Sequence, residues 1–295
     1  MSGKKLLSAF IIFISFYNST NAAAQNKVRV QLQKIAGTIN ARIGLSAVVI
    51  ETGDTINFNS GQRFPMQSVY KFPIAMAILH KADQGKISLD QKVSISPAEI
   101  IQRGVSSIRE KYPQGTVLTV NELLRLNLVE SDGTACDVLI RLMGGTQKVQ
   151  NYITGLGVEN LIIATTEKVQ VSDDWIQYQN WSTPAAMTAL LKEFYSTNVL
   201  SEKNRKALLK WMEDSVPGNK RLKGSLPQGT VVAHKTGTSG TFNGFTRATN
   251  DVGIITLPDG NHLAISIFVS DAYGSMQEKE GIIAAMTKSI WDYYQ

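Results

Sequence analysis

Cysteine and histidine are scarce in this chain of 295 residues, which contains one cysteine and three histidines. A single cysteine excludes an internal disulfide, and the apolar neighbours of Cys136 predict a small buried core residue rather than a reactive thiol. The histidines are too scattered for a convincing zinc site, and the H-E-x-x-H, C-x-x-C and Walker A sequences are all missing. The absence of G-x-S-x-G argues against an α/β-hydrolase.

Long apolar runs are also rare, and the clearest one, Leu6–Tyr17, lies near the N terminus. It follows two lysines and precedes Ala22-Ala23-Ala24, an order that predicts a secretory signal peptide over residues 1–24, cleaved before Gln25, and a periplasmic protein. About twelve apolar residues are too few to span a bilayer. Cleavage would lower the formal charge from +6 by two, to +4, and the remaining basic residues are too dispersed to indicate nucleic-acid binding.

The remaining sequence is rich enough in apolar residues, 43% overall, to form a sizeable core. Its periodicity predicts a helix, then strands, many helices, further strands and a final helix. This order predicts an α/β fold in which an antiparallel sheet domain (25–63 and 215–295), flanked by the terminal helices, carries an inserted all-α domain (64–214). The cleft between the two domains is then the expected ligand site. The predicted helices are 27–38, 68–84, 119–129, 135–143, 183–197, 201–212 and 277–293, and the predicted strands are 43–51, 55–59, 231–235, 252–257 and 262–269.

A serine and a lysine are spaced one helical turn apart in Ser68-Val69-Tyr70-Lys71. Positions i and i+3 share a helix face, so the ammonium group of Lys71 can reach the Ser68 hydroxyl and assist its deprotonation. The start of a helix also directs amide groups towards a developing oxyanion. The motif alone is weak, because the same spacing recurs by chance at residues 2–5, and Ser68 taken alone would more often be a helix N-cap.

Three further sequence features strengthen the interpretation of Ser68 as a nucleophile. Ser131 follows an apolar helix and offers a second hydroxyl that could relay a proton. Lys235-Thr236-Gly237-Thr238 ends a predicted strand, where a lysine and threonine hydroxyls can hold a carboxylate and a glycine permits close approach. Glu167 lies in a polar, irregular segment, from which a carboxylate over the serine could activate a water molecule.

Together these motifs resemble those of the penicillin-recognising serine enzymes, in the chain order S-x-x-K, S-D-N-like and K-T-G. The spacing and Glu167 are similar to class A β-lactamases, and particularly to their extended-spectrum subgroup. The resemblance covers essentially the whole chain after the signal peptide. The segments that carry it are Phe64-Pro65-Met66-Gln67, Gln177-Tyr178-Gln179-Asn180-Trp181, Arg221-Leu222-Lys223-Gly224, Ala233–Gly240 and Ala248–Gly253.

The resemblance implies hydrolysis of a β-lactam through an acyl-enzyme, with no metal or other cofactor. It implies a small-molecule substrate, no nucleic-acid or membrane partner after signal removal, and a monomer. Whether the lysine, or the glutamate acting through a water, is the acylation base is disputed for this family. The implied catalytic residues are Ser68, Lys71, Ser131 and Glu167. The implied substrate-binding residues are Lys235, Thr236, Gly237, Thr238 and Arg221, and the backbone amides of Ser68 and Thr238 form the implied oxyanion hole.

Several positions depart from the family pattern. Gly133 replaces an asparagine that contacts the substrate, and Val171 replaces a polar residue that helps to hold the hydrolytic water. Val105 stands where an aromatic residue commonly walls the cleft, and Thr165 and Asn180 replace an arginine and an aspartate that often pin the Glu167 segment. Because Gly133 and Val171 both remove polar contacts, we expect slower deacylation than in typical relatives.

Two other functions remain open from the sequence alone. A penicillin-binding DD-peptidase would share the motifs but generally lacks the carboxylate that Glu167 supplies, and a covalent β-lactam binder would acylate without efficient turnover. The other polar and aromatic residues near the motifs are expected to have structural roles. Asp132 is interpreted as orienting its loop, whereas Tyr70, Trp181 and His234 are interpreted as packing residues.

Overall fold

The computed structural model describes residues 24–295, so the predicted signal peptide lies almost entirely outside the described residues. Across 24–295, no helix is both long enough and apolar enough to cross a membrane. The helices in chain order are α1 (24–36), α2 (Lys71–Asp83), α3 (Ser107–Lys111), α4 (Val120–Val129), α5 (Gly133–Met143), α6 (Thr146–Gly155), α7 (Glu167–Gln170), α8 (Pro184–Ser196), α9 (Glu202–Glu213) and α10 (Met276–Tyr293). Short 3₁₀ helices cover Gln67–Tyr70, Pro97–Glu99 and Ile176–Tyr178.

The strands form one large antiparallel sheet and two small ones. In chain order they are β1 (Arg42–Val49), β2 (Thr55–Phe58), β3 (Phe64–Pro65), β4 (Lys92–Ile95), β5 (Thr116–Thr119), β6 (Leu161–Ile162), β7 (Trp181–Ser182), β8 (Val232–Thr238), β9 (Thr241–Phe242), β10 (Phe245–Thr256) and β11 (His262–Tyr273). The large sheet has the order β2-β1-β11-β10-β8, with β9 paired to one end of β10. The small sheets are β3-β7-β6 and β4-β5.

Both faces of the large sheet are buried, and the alternation of side chains along each strand divides them between two cores. On one face, Leu45 of β1 and Ile265 of β11 pack with Leu32 of α1 and Ile290 of α10. On the other face, residues such as Val48 of β1, Val252 of β10 and Phe268 of β11 join the core of the helical segment. The predicted architecture, a sheet flanked by the terminal helices with a helical segment inserted, is therefore confirmed. The inserted segment also contains short strands, which the periodicity did not reveal.

Helix α2 is the centre of the inserted segment. Its residues from Lys71 to Leu79 are all buried, and after Lys71 this stretch contains only apolar residues. The predicted single helix over 68–84 is instead a 3₁₀ turn, Gln67–Tyr70, followed directly by α2. A helix that is apolar all round must be enclosed by other elements, so α2 is a fixed support for the residues at its N-terminal end.

The large sheet is joined to this N-terminal end by backbone contacts. Asn250 of β10 donates its side-chain amide to the carbonyls of Pro65 (2.8 Å) and Met66 (3.1 Å). On β8, a Cβ at Gly237 would lie 2.2 Å from the carbonyl oxygen of Met66, so only glycine permits this approach. These contacts bring the end of β8 beside the turn that contains Ser68.

Candidate active site

Ser68 and Lys71 lie together at the junction of the sheet and the helices, as the motif predicts. Lys71 Nζ donates to Ser68 Oγ at 2.9 Å and to the Ser131 carbonyl at 3.0 Å, and it lies 3.2 Å from Glu167 Oε2. The preceding residue, Gln67, has a φ of 49°, a left-handed conformation that is rare for a residue other than glycine and occurs preferentially at functional sites.

The protonation state of Lys71 follows from its neighbours. Burial is the largest single effect and would lower the pKa of Lys71, but the charge and hydrogen bond of Glu167, together with further acidic neighbours such as Asp132, raise this pKa above its ordinary value. The lysine is therefore an ammonium ion in the resting protein and donates to Ser68. It becomes a base only after it gives up a proton, and the nearest carboxylate is that of Glu167.

Ser131 and Lys235 form a second pair on the other side of the cleft. Lys235 Nζ donates to Ser131 Oγ at 2.9 Å, and Ser131 also has a left-handed backbone, with a φ of 59°. Burial, and then the charge of the nearby Lys71, lower the pKa of Lys235 to about 7. An anionic ligand in the cleft would oppose both effects and favour the ammonium form.

The end of β8 contributes Thr236 and Thr238 to the same cleft. Arg221 does not line this cleft in the described residues, although the family resemblance implies that it binds the substrate. Its guanidinium donates to Thr238 Oγ1 at 2.8 Å and to the Asn250 carbonyl at 2.9 Å, and it pairs with Glu280 at 3.2 Å. Arg221 therefore contacts the cleft through the Thr238 hydroxyl.

Glu167 enters from the side of the helical segment and is buried, with 4% exposure. It begins α7, a helix of one turn, and the carboxylate of Asp137 accepts hydrogen bonds from the backbone amides of Glu167 (2.6 Å) and Lys168 (2.8 Å). Burial raises the pKa of Asp137 to about 6 despite these two donors. The hydroxyl of Tyr70 donates to Glu167 Oε2 at 2.5 Å.

Tyr70 and Asp137 are the residues around Glu167 that sequence reasoning missed. Tyr70 was predicted to be a packing residue, and its ring is buried, but its hydroxyl is a hydrogen-bond partner of Glu167. The available signal was the position of a tyrosine inside the S-x-x-K motif. Asp137 lies on α5, one turn after Gly133, so the spacing along that helix was the signal that could have revealed it.

The glycine at position 133 has a local explanation. A Cβ at Gly133 would lie 2.4 Å from Ile101 Cδ1 and 2.6 Å from Glu167 Cγ, distances that a real Cβ does not reach. The side chain of Glu167 therefore occupies the space that a larger residue at 133 would need. An asparagine at position 133 is therefore sterically incompatible with the observed position of the Glu167 side chain.

Asn180 holds the segment that precedes Glu167 by contacts to the backbone. Its side-chain oxygen accepts from the amides of Ala164 (2.8 Å) and Thr165 (2.9 Å), and its side-chain nitrogen donates to the Thr165 carbonyl and to Gln170. Asn180 is fully buried. In this chain the buried side-chain amide of Asn180 therefore holds the segment before Glu167, where the usual pattern has an arginine–aspartate pair.

The remaining interpretations of polar residues agree with the structure. Asp132 is fully buried and accepts from the backbone amides of Ile108 and Ala135, so it orients its loop. His234 is buried beside Asp251 and is not among the described residues that line the cleft, and Cys136 is buried and free.

The cleft itself has a volume of about 370 Å³, a size suited to a small organic molecule. Val105, 61% exposed, forms part of its outer wall, where the family pattern places an aromatic residue. The residues that line the cleft are Ser68, Val105, Ser107, Glu110, Glu130, Ser131, Val216, Pro217, Thr236 and Thr238.

The sequence of this chain matches those of a known protein family. The model of the β-lactamase enzyme family matches residues 27–294. β-Lactamase VEB-1 of Pseudomonas aeruginosa is 41% identical over 292 residues, which cover 98% of this chain and 96% of the relative. Extended-spectrum β-lactamase PER-1 of the same organism is 37% identical over 285 residues, which cover 96% and 92%.

Solved structures give the same result. A β-lactamase from Chitinophaga pinensis shares 45% identity at a TM-score of 0.89, covering 91% of this chain and 100% of that chain. The extended-spectrum β-lactamase TLA-1 shares 43% identity at a TM-score of 0.89, covering 92% and 99%. The chain therefore belongs to the β-lactamase enzyme family, as a class A member similar to the extended-spectrum enzymes.

Proposed function

We propose that this protein is an exported serine hydrolase that opens the ring of penicillins and cephalosporins through an acyl-enzyme on Ser68, which a water activated by Glu167 then hydrolyses. The observation that carries the proposal is the position of Lys71 Nζ, 2.9 Å from Ser68 Oγ and 3.2 Å from Glu167 Oε2. One buried ammonium group thus connects a nucleophile with a carboxylate base.

Acylation begins with two proton transfers along this connection. Lys71 gives a proton to Glu167, and the neutral amine then takes the proton of the Ser68 hydroxyl as Oγ forms a bond to the lactam carbonyl carbon. The carbonyl oxygen becomes an oxyanion, which the backbone amides of Ser68 and Thr238 stabilise. This order of proton transfers is favoured over deprotonation of Ser68 by a lysine that is neutral from the start, because Lys71 is an ammonium ion at rest.

Ring opening follows when the carbon–nitrogen bond of the lactam breaks and the carbonyl re-forms as an ester of Ser68. The departing nitrogen takes the hydroxyl proton of Ser131, and the Lys235 ammonium, 2.9 Å from Ser131 Oγ, stabilises the oxygen that remains. Lys71, also beside Ser131, then restores the serine proton. Glu167 then returns to Lys71 the proton that it took at the start, so the acyl-enzyme contains a Lys71 ammonium, an ionised Glu167 and the neutral amine of the opened ring.

Hydrolysis of the acyl-enzyme uses Glu167 as the general base. The carboxylate takes a proton from a water molecule as the water oxygen bonds to the ester carbon. When the ester bond breaks, Ser68 leaves as an alkoxide and receives the proton back, so that the product is the ring-opened acid. The steric relation between Gly133 and Glu167 supports slow deacylation, because it leaves no side chain at position 133 to orient the substrate.

The substrate carboxylate is the expected partner of the Lys235 ammonium and of the hydroxyls of Thr236 and Thr238, with Gly237 providing close approach. Arg221 assists by donating to Thr238 Oγ1. The complete site is assembled from one chain, which supports a monomer. Export to the periplasm is supported by the signal-peptide pattern of residues 1–24, and a mature protein that begins at Gln25 is the expected product.

The test is hydrolysis of a chromogenic cephalosporin by the purified protein and three variants. Ser68→Ala should abolish hydrolysis and acylation, Glu167→Ala should accumulate an acyl adduct visible by intact mass, and the control Ser196→Ala, at an exposed position on α8, should behave as wild type. Stable acylation of the wild type without hydrolysis would instead identify a covalent β-lactam binder. Cleavage of a D-Ala-D-Ala peptide with no β-lactam turnover would identify a DD-peptidase.

A further inference from the structure

Tyr70 is the last residue of the turn that contains Ser68 and directly precedes Lys71. Its hydroxyl group reaches Glu167. The hydroxyl donates to Glu167 Oε2 at 2.5 Å, and the tyrosine side chain is fully buried. Lys71 Nζ lies 3.2 Å from the same oxygen. In the described part of the chain, both side-chain donors that contact this carboxylate lie on Oε2 and neither contacts Oε1.

The tyrosine is the donor in this contact and stays protonated. Burial raises the pKa of Tyr70 well above its ordinary value, and the nearby carboxyl groups of Glu167 and Asp137 raise it further. A neutral phenol in a dry environment makes a strong hydrogen bond to a carboxylate, because no water competes for either partner.

This hydrogen bond opposes the role proposed for Glu167. A donor bound to an ionised carboxylate favours the ionised form, and it therefore weakens the group as a proton acceptor. Deacylation requires the carboxylate to take a proton from water in the transition state, so a weaker base gives a slower step. The valine at position 171 is apolar and supplies no donor, so Tyr70 is the neutral group that restrains this carboxylate.

Other charged and titratable groups also act on Glu167, and they come from every element packed around it. The ammonium groups attract the carboxylate, whereas Asp137, whose pKa is about 6, repels it when ionised. These groups are Lys71 of α2, Cys136 and Asp137 of α5, and Lys235 of β8. All of them remain when the tyrosine hydroxyl alone is removed, so the effect of that hydroxyl can be measured separately.

We propose that Tyr70 is a positioning residue that restrains Glu167 during hydrolysis of the acyl-enzyme: its hydroxyl fixes Oε2 and weakens the carboxylate as a base, which slows deacylation. This inference rests on the function proposed above. It attributes the expected slow deacylation to the Tyr70 contact, in addition to the polar groups that are missing at positions 133 and 171.

The test is Tyr70→Phe, which removes the hydroxyl and keeps the ring. The acyl-enzyme is formed with benzylpenicillin, and its decay is followed by quenched intact mass spectrometry between pH 4.5 and 8. We expect deacylation about threefold to tenfold faster than in the wild type. In the profile of deacylation rate against pH, we expect the fall in rate on the acidic side to begin at a higher pH. The acylation stoichiometry should remain one per protein, which shows that the variant is folded.

The matched control is Tyr152→Phe, which removes a buried hydroxyl that has no hydrogen-bond partner in the part of the chain that the structure describes. This variant should leave both the deacylation rate and its fall on the acidic side unchanged. Deacylation of Tyr70→Phe that is unchanged or slower than wild type would overturn the inference while leaving the proposed hydrolase intact. Failure of the wild type itself to be acylated would instead overturn the proposed function.

Discussion

The position of the Glu167 side chain depends on the absence of a side chain at Gly133. The family pattern suggests that replacing this glycine with a larger residue would restore a lost substrate contact. The structure predicts the opposite, because even one added carbon would meet Ile101 Cδ1 at 2.4 Å and Glu167 Cγ at 2.6 Å. Accommodating that carbon would displace the carboxylate that the proposed hydrolysis step uses.

Gly133→Ala is therefore expected to lower the deacylation rate by roughly tenfold or more, since displacement of a general base removes much of its contribution. Overpacking should also lower the free energy of unfolding by about 1–3 kcal/mol. The control is Gly281→Ala on α10, where an added Cβ has no neighbour within 4 Å and should be neutral or stabilising. Steady-state kinetics, acyl-enzyme decay and urea unfolding measure these effects. Faster hydrolysis by Gly133→Ala would contradict the packing explanation.

Site residues that belong to a short sequence motif could be predicted from the sequence. Site residues that meet only because the fold brings distant positions together could not. Ser68 and Lys71 are joined by helical spacing, which a sequence displays directly. Tyr70 and Glu167 are 97 positions apart, and nothing local indicates that the tyrosine hydroxyl reaches the carboxylate. That Arg221 binds substrate stays a prediction; the fold brings its guanidinium to Thr238 Oγ1, 17 positions away, a contact that the sequence does not display.

Elements with strong local signals were the ones that the sequence located well. The capping box of Thr119 and Glu122 starts α4 where the predicted helix 119–129 begins, and Thr183 caps α8 at the start of the predicted helix 183–197. The strands β3, β6 and β7 have two residues each, too few for any periodicity, and they form only because the fold brings them together.

Helix α7 is the element whose stability depends most on a partner, because a helix of one turn does not persist alone. Asp137 of α5 caps it through the amides of Glu167 and Lys168. Burial raises the pKa of Asp137 from 3.8 to about 6, so the unfolded chain releases this proton before the folded protein does. The stability that this group contributes is therefore complete below about pH 4 and is lost as the pH rises through about 6.

Asp137→Asn should remove this titration. Between pH 4 and 7 the wild type should lose on the order of 2–3 kcal/mol of unfolding free energy relative to the variant. Urea unfolding at a series of pH values measures the difference. The variant should also deacylate more slowly at pH 7, because an amide accepts only one of the two backbone hydrogen bonds well. Parallel stability profiles for the two proteins would contradict the raised pKa.

At the scale of the whole molecule, the site lies where the large sheet contacts the helical segment. Asn250, fully buried on β10, donates to the carbonyls of Pro65 and Met66 just before the Ser68 turn. Its neighbours on the sheet position Lys235 and Thr238, whereas α2 positions Lys71. The separation between the nucleophile and the carboxylate-binding strand is therefore fixed by a few polar contacts across the junction.

Asn250→Ala should disturb this separation. Two buried carbonyls would lose a donor, which should lower the unfolding free energy by about 1–3 kcal/mol, and the acylation rate should fall because Ser68 and Thr238 would no longer be held in register. Asn204→Ala is the matched control: this buried asparagine donates to Asp83 at 2.7 Å, away from the cleft. It should lose comparable stability in urea unfolding but keep its acylation rate in stopped-flow measurements. An equal loss of acylation in both variants would show that the junction acts through global stability alone, whereas a loss confined to Asn250→Ala would establish that the sheet sets the position of the nucleophile.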